Sequence, residues 1–184
     1  MQYTGIQNSP LGEILVVDDG KAILEVRFLD FTLSPHNKNF SIKTQFKKSA
    51  FLQSNLAKES CKQSSLTLAA FSQIEEYFTQ KRKVFTLPLN PKGTAFQKSV
   101  WEILRTIPYG EILSYGEVAK RLNKPNSARA IGGANHNNPI AIFIPCHRVI
   151  NANGSINGYA SGIQKKIELL KLEGYAPKKG LWKL

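Results

Sequence analysis

The sequence has few cysteines and no long apolar run. Two of its 184 residues are cysteine, Cys61 and Cys146, which is too few for a disulfide framework and fits a reducing compartment. No segment approaches the roughly 18 consecutive apolar residues of a membrane span. The first ten residues lack the basic and apolar regions of a secretory signal. We therefore expect no membrane association and a cytoplasmic location, which would be nucleoid-associated in a bacterium.

Acidic residues are also scarce. The chain has 13 Asp and Glu against 25 Lys and Arg, a formal net charge of +12. Residues 1–90 carry 11 basic and 8 acidic side chains, a net of +3, whereas residues 91–184 carry 14 and 5, a net of +9. A strongly basic half favours a polyanionic partner, with nucleic acid ahead of an anionic membrane surface. Charge that serves solubility alone is the other interpretation.

The chain is 42% hydrophobic, enough for the core of one medium domain or two small ones. Residues 11–30 predict a β-hairpin around an Asp-Asp-Gly turn, and residues 65–81 predict an amphipathic helix. Residues 81–93 predict a short strand followed by a linker with proline and glycine. We place the boundary between an N-terminal domain, 1–90, and a C-terminal domain, 91–184, in this linker.

Helix starts are frequent in the second half. Capping-box patterns occur at 94–97, 114–117 and 161–164. Ser127 is expected to cap a further helix that ends near Asn138, because Pro139 follows. The helices that begin near Ser114 and Ser127, joined by a short turn, predict a helix-turn-helix.

The second helix of this predicted motif consists almost entirely of small residues. Gly132 and Gly133 would cost about 1–2 kcal/mol together relative to alanine, so something must approach the backbone closely. Close packing against another helix is one explanation, and contact with DNA is the other. The single large cation, Arg129, lacks the accompanying Asn and Gln side chains that read base edges in the major groove. This surface suits weakly sequence-specific binding, with Arg129 available for insertion into the base stack.

A thiol and a titratable ring are adjacent at Cys146 and His147. A buried inert thiol and a thiolate activated by the imidazole are equally compatible with this pair. If His147 is a base, it needs an orienting carboxylate. Glu173 is the candidate, because the helix dipole disfavours a carboxylate in the last turn of the third predicted capped helix.

Several longer stretches resemble the O6-alkylguanine-DNA alkyltransferases, also called methylated-DNA–protein-cysteine methyltransferases. They are "SPLG" (9–12), "FQKSVWEILRTIPYGEILSYGEVA" (96–119), "ARAIGGANHNNP" (128–139), "IPCHRVINANGSINGYASG" (144–162) and "KIELLKLEG" (166–174). The resemblance covers nearly all of residues 94–174 and, more loosely, the first half. It implies an α+β fold with an N-terminal ribonuclease H-like domain and a mostly helical C-terminal domain with a winged helix-turn-helix.

The resemblance also implies a function. A monomer would bind double-stranded DNA containing O6-alkylguanine and flip the damaged nucleotide out of the helix. It would transfer the alkyl group from guanine O6, and from thymine O4, irreversibly to its own cysteine, once per molecule. Neither a cofactor nor a metal is needed.

The family's residue roles transfer to matching positions. Cys146 would accept the alkyl group, His147 would act as its base through a water, Glu173 would hold His147, and Asn138 would brace the cysteine loop. Tyr115 would help to rotate the nucleotide and donate a proton to guanine N3. Arg129 would fill the vacated stack, with Ser114, Ala128 and Gly132 also at the DNA. Tyr159, Val149, Ser161 and Tyr115 would form the base pocket, and Arg148 would hold the structure around it.

Two departures from the family pattern stand out. The position after the pocket tyrosine, where some members have serine, is Ala160, and Ser161 follows it. The zinc site that some members carry in the first domain would have only Cys61 and His36 here, too few ligands.

Three other functions remain to be weighed. A damage-binding protein of the family would lack the cysteine, a transcriptional regulator would need more base-reading side chains, and a cysteine hydrolase would need an oxyanion hole.

Overall fold

The computed structural model describes residues 1–29, 62–156, 158–176 and 182. The N-terminal part begins with an antiparallel sheet in the order β1-β2-β3. Its strands are β1 (Tyr3–Ser9), β2 (Gly12–Asp18) and β3 (Ile23–Leu29). The predicted hairpin is β2–β3. Strand β1 was not predicted, because its mixed sequence becomes a strand only through pairing along the whole of β2.

Helix α1 (Ser65–Phe78) packs against this sheet. Ser64 caps it by accepting hydrogen bonds from the backbone N–H groups of Leu66 and Thr67, and its hydroxyl donates to the buried Asp18. The helix ends at Phe78, three residues earlier than expected, with Thr79 as its C-cap, and Gln80 adopts a positive φ of 60°.

The strand predicted within residues 81–93 is wrong. Among the described residues, this segment forms a single parallel bridge, between Leu89 and Ile23. The backbone of Ile23 bonds to Pro88 and Asn90, and a proline interrupts any longer ladder.

In its described residues, the C-terminal part contains four α-helices and a two-residue parallel pairing. The helices are α2 (Ala95–Arg105), α3 (Tyr115–Arg121), α4 (Ala128–His136) and α5 (Ile163–Leu172), and the pairing joins β4 (Leu113–Ser114) to β5 (Val149–Ile150). Helices α3 and α4 with the turn between them form the predicted helix-turn-helix.

Two of the three predicted capping boxes are present. Thr94 and Ser114 each accept from the backbone N–H of the residue three positions on, and the side chain there accepts from the cap's own N–H. The third is wrong: α5 starts after Gly162, whose φ of 93° ends the preceding turn, and no side chain caps it. Ser127 does precede α4, but its hydroxyl donates to the Lys124 carbonyl instead of capping the helix.

One hydrophobic core cluster joins the two parts of the chain. It contains Val16 and Ile74 from the first part and Trp101, Ile131 and Cys146 from the second. The backbone of Val26, in β3, also bonds to Pro139 and Ala141, just before the cysteine. The segment that leads to Cys146 is therefore held by the N-terminal sheet.

Candidate active site

The cysteine lies in a short 3₁₀ turn, Cys146–Arg148, that follows a buried apolar segment. Asn138 fixes this segment at three points. Its amide nitrogen donates to the Ile144 carbonyl at 2.8 Å and to Cys146 Sγ at 3.2 Å, and its Oδ1 accepts from the backbone N–H of Ile140 at 3.0 Å. This is the bracing contact expected for Asn138.

Glu173 is buried, with 5% of its surface exposed, and accepts hydrogen bonds from four residues. His147 Nε2 and Tyr77 Oη lie 2.8 and 2.7 Å from Oε1, and Arg148 donates to both carboxylate oxygens at 2.9 Å. The backbone N–H of Gly110 donates to Oε2 at 3.3 Å. Glu173 lies at the end of α5, where the helix dipole disfavours a carboxylate, and it contacts His147 as the sequence analysis expected.

This cluster fixes the protonation of the His147 ring. Burial would raise the pKa of Glu173, but His147 and Arg148 together hold it well below its ordinary value of 4.5, so the carboxylate is ionised and accepts only. Burial lowers the pKa of His147 below 6.5 despite the neighbouring carboxylate. The neutral ring therefore carries its proton on Nε2. Nδ1, which has no hydrogen-bond partner among the described residues, keeps a free lone pair and can act as a base.

Arg148 is buried and is not a surface cation. It is 5% exposed, and besides Glu173 it bonds to the Ile107 carbonyl. Removing either partner of this ion pair would leave a buried charge uncompensated.

The Cys146 thiol does not have the lowered pKa expected for a thiolate activated by its neighbour. Its pKa is raised above 9.0, because burial outweighs the hydrogen bond from Asn138 and the charge of Lys166. His147 does not act on it as a positive charge, since the ring is neutral. Ionisation of the sulfur therefore requires transfer of the proton to a base during the reaction.

Cys146 lies in the wall of a cavity of about 510 Å³. The predicted residues on its wall are Tyr115, Ala128, Arg129, Gly132 and Tyr159. Its volume is that of a typical small-molecule pocket. Val149 and Ser161, also predicted for the pocket, are not among the lining residues, and Ala160 lines the wall instead.

Two side chains in the cavity wall carry buried polar atoms that have no hydrogen-bond partner among the described residues. Asn135 is 8% exposed, and neither of its amide atoms has a hydrogen-bond partner among the described residues. The Tyr159 hydroxyl is likewise unpartnered. Burying such groups costs free energy unless something bonds to them, so both are suited to contact a polar ligand. Asn135 was missed, although it is the one amide in the small-residue run of α4.

Helix α4 presents an open surface beside this cavity. A Cβ atom placed on Gly132 or Gly133 would meet nothing within 4 Å, so packing against another helix does not explain these glycines. Arg129 is exposed at the start of the helix. Ser114, also placed at the DNA, is 4% exposed, and its hydroxyl is bonded to Glu117 in the cap of α3. Its contact with DNA stays a prediction.

Lys166 was missed by the sequence analysis. It is 1% exposed, and its Nζ donates to the Val149 carbonyl at 2.6 Å. Burial lowers its pKa to about 8, although the charge of Cys146 acts in the opposite direction. The sequence did indicate that Lys166 is buried, because it lies three residues after Ile163 and four before Leu170 on the predicted apolar face of α5. Ile163 itself is 47% exposed.

Cys146, followed by a histidine that Glu173 orients, lies in the wall of a cavity lined by the helix-turn-helix, an arrangement that suits a DNA-binding protein with a reactive cysteine. Two family models match the chain. Residues 2–91 match the ribonuclease-like domain of 6-O-methylguanine DNA methyltransferase, and residues 95–175 match its DNA-binding domain. The chain therefore belongs to the 6-O-methylguanine DNA methyltransferase family.

Curated relatives agree. The chain is 42% identical to a methylated-DNA–protein-cysteine methyltransferase of Methanosarcina acetivorans over 172 residues, which cover 94% of this chain and 98% of the relative. It is 38% identical to a protein of the same name from Mycobacterium tuberculosis, over 90% of this chain and 88% of the relative.

Solved structures agree as well. The crystal structure of the M. tuberculosis O6-methylguanine methyltransferase superimposes with a TM-score of 0.74 at 36% identity, covering 94% of this chain and 93% of that one. A complex of the M. tuberculosis protein with DNA gives 0.73 at 36% identity, over 94% and 91% of the two chains. These matches confirm the expected fold, a ribonuclease-like part followed by a DNA-binding part. Among the described residues, no helix is both long and apolar enough to cross a bilayer.

Proposed function

We propose that the protein repairs double-stranded DNA by transferring an alkyl group from guanine O6, and from thymine O4, to Cys146, once per molecule. The observation that carries this proposal is the free thiol in the wall of the cavity, bonded to Asn138 and followed directly by a histidine whose tautomer is set by Glu173. The family and the relatives' printed names point to the same reaction.

The chemistry begins with ionisation of the sulfur. Nδ1 of His147 takes the thiol proton through one bridging water, and Glu173 stabilises the imidazolium that forms. Sγ attacks the alkyl carbon in line, so that a C–S bond forms as the C–O bond breaks and the electron pair stays on the guanine. Because the thioether has no good leaving group and no second base serves it, the sulfur is not regenerated.

Tyr115 supplies the proton that the leaving guanine needs. It lines the cavity, and its pKa is raised by burial and by the neighbouring Cys146, so the phenol is protonated at neutral pH. Donation to guanine N3 neutralises the departing base. The Asn135 amide and Tyr159 hydroxyl offer further hydrogen bonds to a base in the pocket.

The open face of α4 binds the duplex. Guanine O6 is inaccessible to a buried sulfur while the base remains stacked, so the nucleotide must rotate into the cavity. Arg129, exposed where α4 begins, enters the vacated stack, and Gly132 allows the backbone to approach. The protein acts as a monomer without membrane contact, in a reducing cytoplasm that keeps Cys146 a free thiol.

Intact-mass measurement tests the proposal. After incubation with duplex DNA containing O6-methylguanine, we expect one added methyl group per protein chain, located by peptide mapping on the peptide with Cys146. Cys61→Ser should gain the same mass, and Cys146→Ser should gain none while still binding the duplex. A wild-type protein that binds lesion DNA without gaining mass would be a damage-binding protein instead. More than one transfer per molecule would contradict the single-turnover mechanism.

A further inference from the structure

Tyr77 connects the N-terminal part of the chain to the buried cluster around Glu173. It lies in α1, is 0% exposed, and its hydroxyl donates to Glu173 Oε1 at 2.7 Å. The other donors described above for this carboxylate, from His147, Arg148 and Gly110, belong to the C-terminal part. The cluster therefore includes a side chain from the part of the chain that carries neither the thiol nor the cavity.

Packing alone does not explain the hydroxyl of Tyr77. The ring lies in the hydrophobic core cluster, and the ring centroids of Phe85 and Tyr109 are 5.5 and 6.0 Å away. A phenylalanine would fill the same space without burying a polar group, which costs free energy unless a hydrogen bond compensates it. Burial and the charge of Glu173 raise the pKa of Tyr77 well above its ordinary value of 10.0, so the phenol keeps its proton and donates to the carboxylate.

Tyr77 and His147 share one acceptor atom. His147 Nε2 lies 2.8 Å from Oε1, the oxygen that also accepts from Tyr77, whereas Arg148 bonds to both oxygens and fixes the plane of the carboxylate. Each donor withdraws charge from the shared oxygen, so a second donor weakens the bond from Nε2 and makes an imidazolium less stable. Burial lowers the pKa of His147, Glu173 raises it, and the charges of Arg148 and Lys166 lower it. The Tyr77 hydroxyl acts through Glu173 in the lowering direction.

We propose that Tyr77 is a positioning residue that acts through Glu173 to keep the His147 ring neutral, with its proton on Nε2. This inference rests on the proposed function, in which Nδ1 must be unprotonated to take the thiol proton. Without the Tyr77 hydroxyl, the carboxylate would hold the imidazolium more strongly, and a proton would occupy the base up to a higher pH. The N-terminal part thereby sets the lower end of the pH range in which the transfer runs.

NMR of the free protein tests the shared oxygen without DNA or alkyl transfer. In a His36→Gln, His136→Gln background, His147 is the remaining histidine of the three, and its Nε2 resonance is observed at pH 7.5 through the carbon-bound ring protons. In Tyr77→Phe this ¹⁵N resonance should move downfield, because Oε1 becomes a stronger acceptor.

Tyr109→Phe is the matched control. It removes a phenol hydroxyl from the adjacent ring, but that hydroxyl donates at 2.8 Å to the Leu172 carbonyl and not to the carboxylate. The Nε2 resonance of His147 should stay in place in this variant. An equal shift in Tyr109→Phe and Tyr77→Phe would contradict the inference, because the change would then reflect the loss of any nearby hydroxyl.

A second variant keeps the packing of Tyr77 and tests the sign of the effect. When 3-fluorotyrosine is incorporated in place of Tyr77, the phenol is more acidic and donates more strongly to Oε1. The Nε2 resonance should therefore move upfield, opposite to the shift in Tyr77→Phe. This variant decides the question if Tyr77→Phe does not fold. An Nε2 resonance that does not respond to fluorination would overturn the inference.

The pH dependence of transfer separates this inference from the proposed function. Single-turnover rates with free O6-benzylguanine are measured from pH 5 to pH 9, so that DNA binding does not contribute. The rate falls at low pH where His147 becomes protonated, and in Tyr77→Phe this fall should lie at least about half a pH unit higher, with a plateau no lower than that of wild type. If wild type transfers no alkyl group to Cys146, the proposed function fails whatever the NMR gives. If wild type transfers normally while the pH profile and the Nε2 resonance are unchanged in Tyr77→Phe, the role of Tyr77 alone fails.

Discussion

Replacing Glu173 by glutamine tests the organisation of the buried cluster. The substitution keeps the shape of the side chain but removes its negative charge. In the wild type, the carboxylate accepts four hydrogen bonds from side chains and one from a backbone N–H group. Arg148 is 5% exposed and would remain as an unpaired buried cation. Breaking a buried ion pair in this way costs about 3–5 kcal/mol, and we expect the free energy of unfolding to fall by that amount.

A double-mutant cycle separates the ion pair from the loss of shape. Urea unfolding at pH 7 is measured for wild type, Glu173→Gln, Arg148→Met and the double variant. Because the double variant leaves no unpaired charge, its loss should be at least about 2 kcal/mol smaller than the sum of the single losses. Single losses below about 1 kcal/mol, or losses that simply add, would refute the reasoning.

The same substitution should slow alkyl transfer. Glutamine presents an amide that can donate as well as accept, so Nε2 is no longer forced to carry the ring proton. We expect the single-turnover rate to fall by at least about 100-fold, the contribution of a positioned base. A rate within threefold of wild type, in a variant shown to be folded, would mean that His147 does not need this orientation.

Two further predictions concern pH and DNA. The pKa of Glu173 is depressed in the folded state, so its stabilisation is complete above its ordinary value of 4.5 and is lost as the pH falls below that value. The urea midpoint of wild type should therefore decline steeply below about pH 5, and Glu173→Gln should lack this part of the decline. Arg129→Ala should reduce the transfer rate from duplex DNA at least about tenfold more than the rate with free O6-benzylguanine. Equal reductions on both substrates would contradict the placement of Arg129 in the base stack.

Local signals in the sequence predicted much of the fold. The capping boxes at Thr94 and Ser114 need residues only three positions apart, and the β2–β3 hairpin needs only its turn, so each is encoded within a short window. The capping box at Ser161 failed because Gly162 takes a positive φ that separates the serine from α5. Strand β1 was missed because its partner, not its own sequence, makes it a strand.

Site residues could be predicted where the neighbouring sequence alone made them unusual. Cys146 and His147 are adjacent, and Glu173 stands at a helix end that disfavours it. Tyr77 and Lys166 reach the site from other helices, and their contacts exist only after folding. The sequence left the direction of the thiol pKa open for a related reason. Adjacency to an imidazole is visible in the sequence, whereas burial of the sulfur and neutrality of the ring are properties of the packed protein.

The backbone bonds between Val26 and the segment before Cys146 limit which part of the site can move. Shifting that segment outward would break two hydrogen bonds, from the Val26 N–H to Pro139 and from the Ala141 N–H to Val26, at about 1 kcal/mol each. It would also release the edge of the first sheet. In the proposed reaction, the sulfur therefore stays in place, and distortion of the DNA brings the alkyl carbon to it.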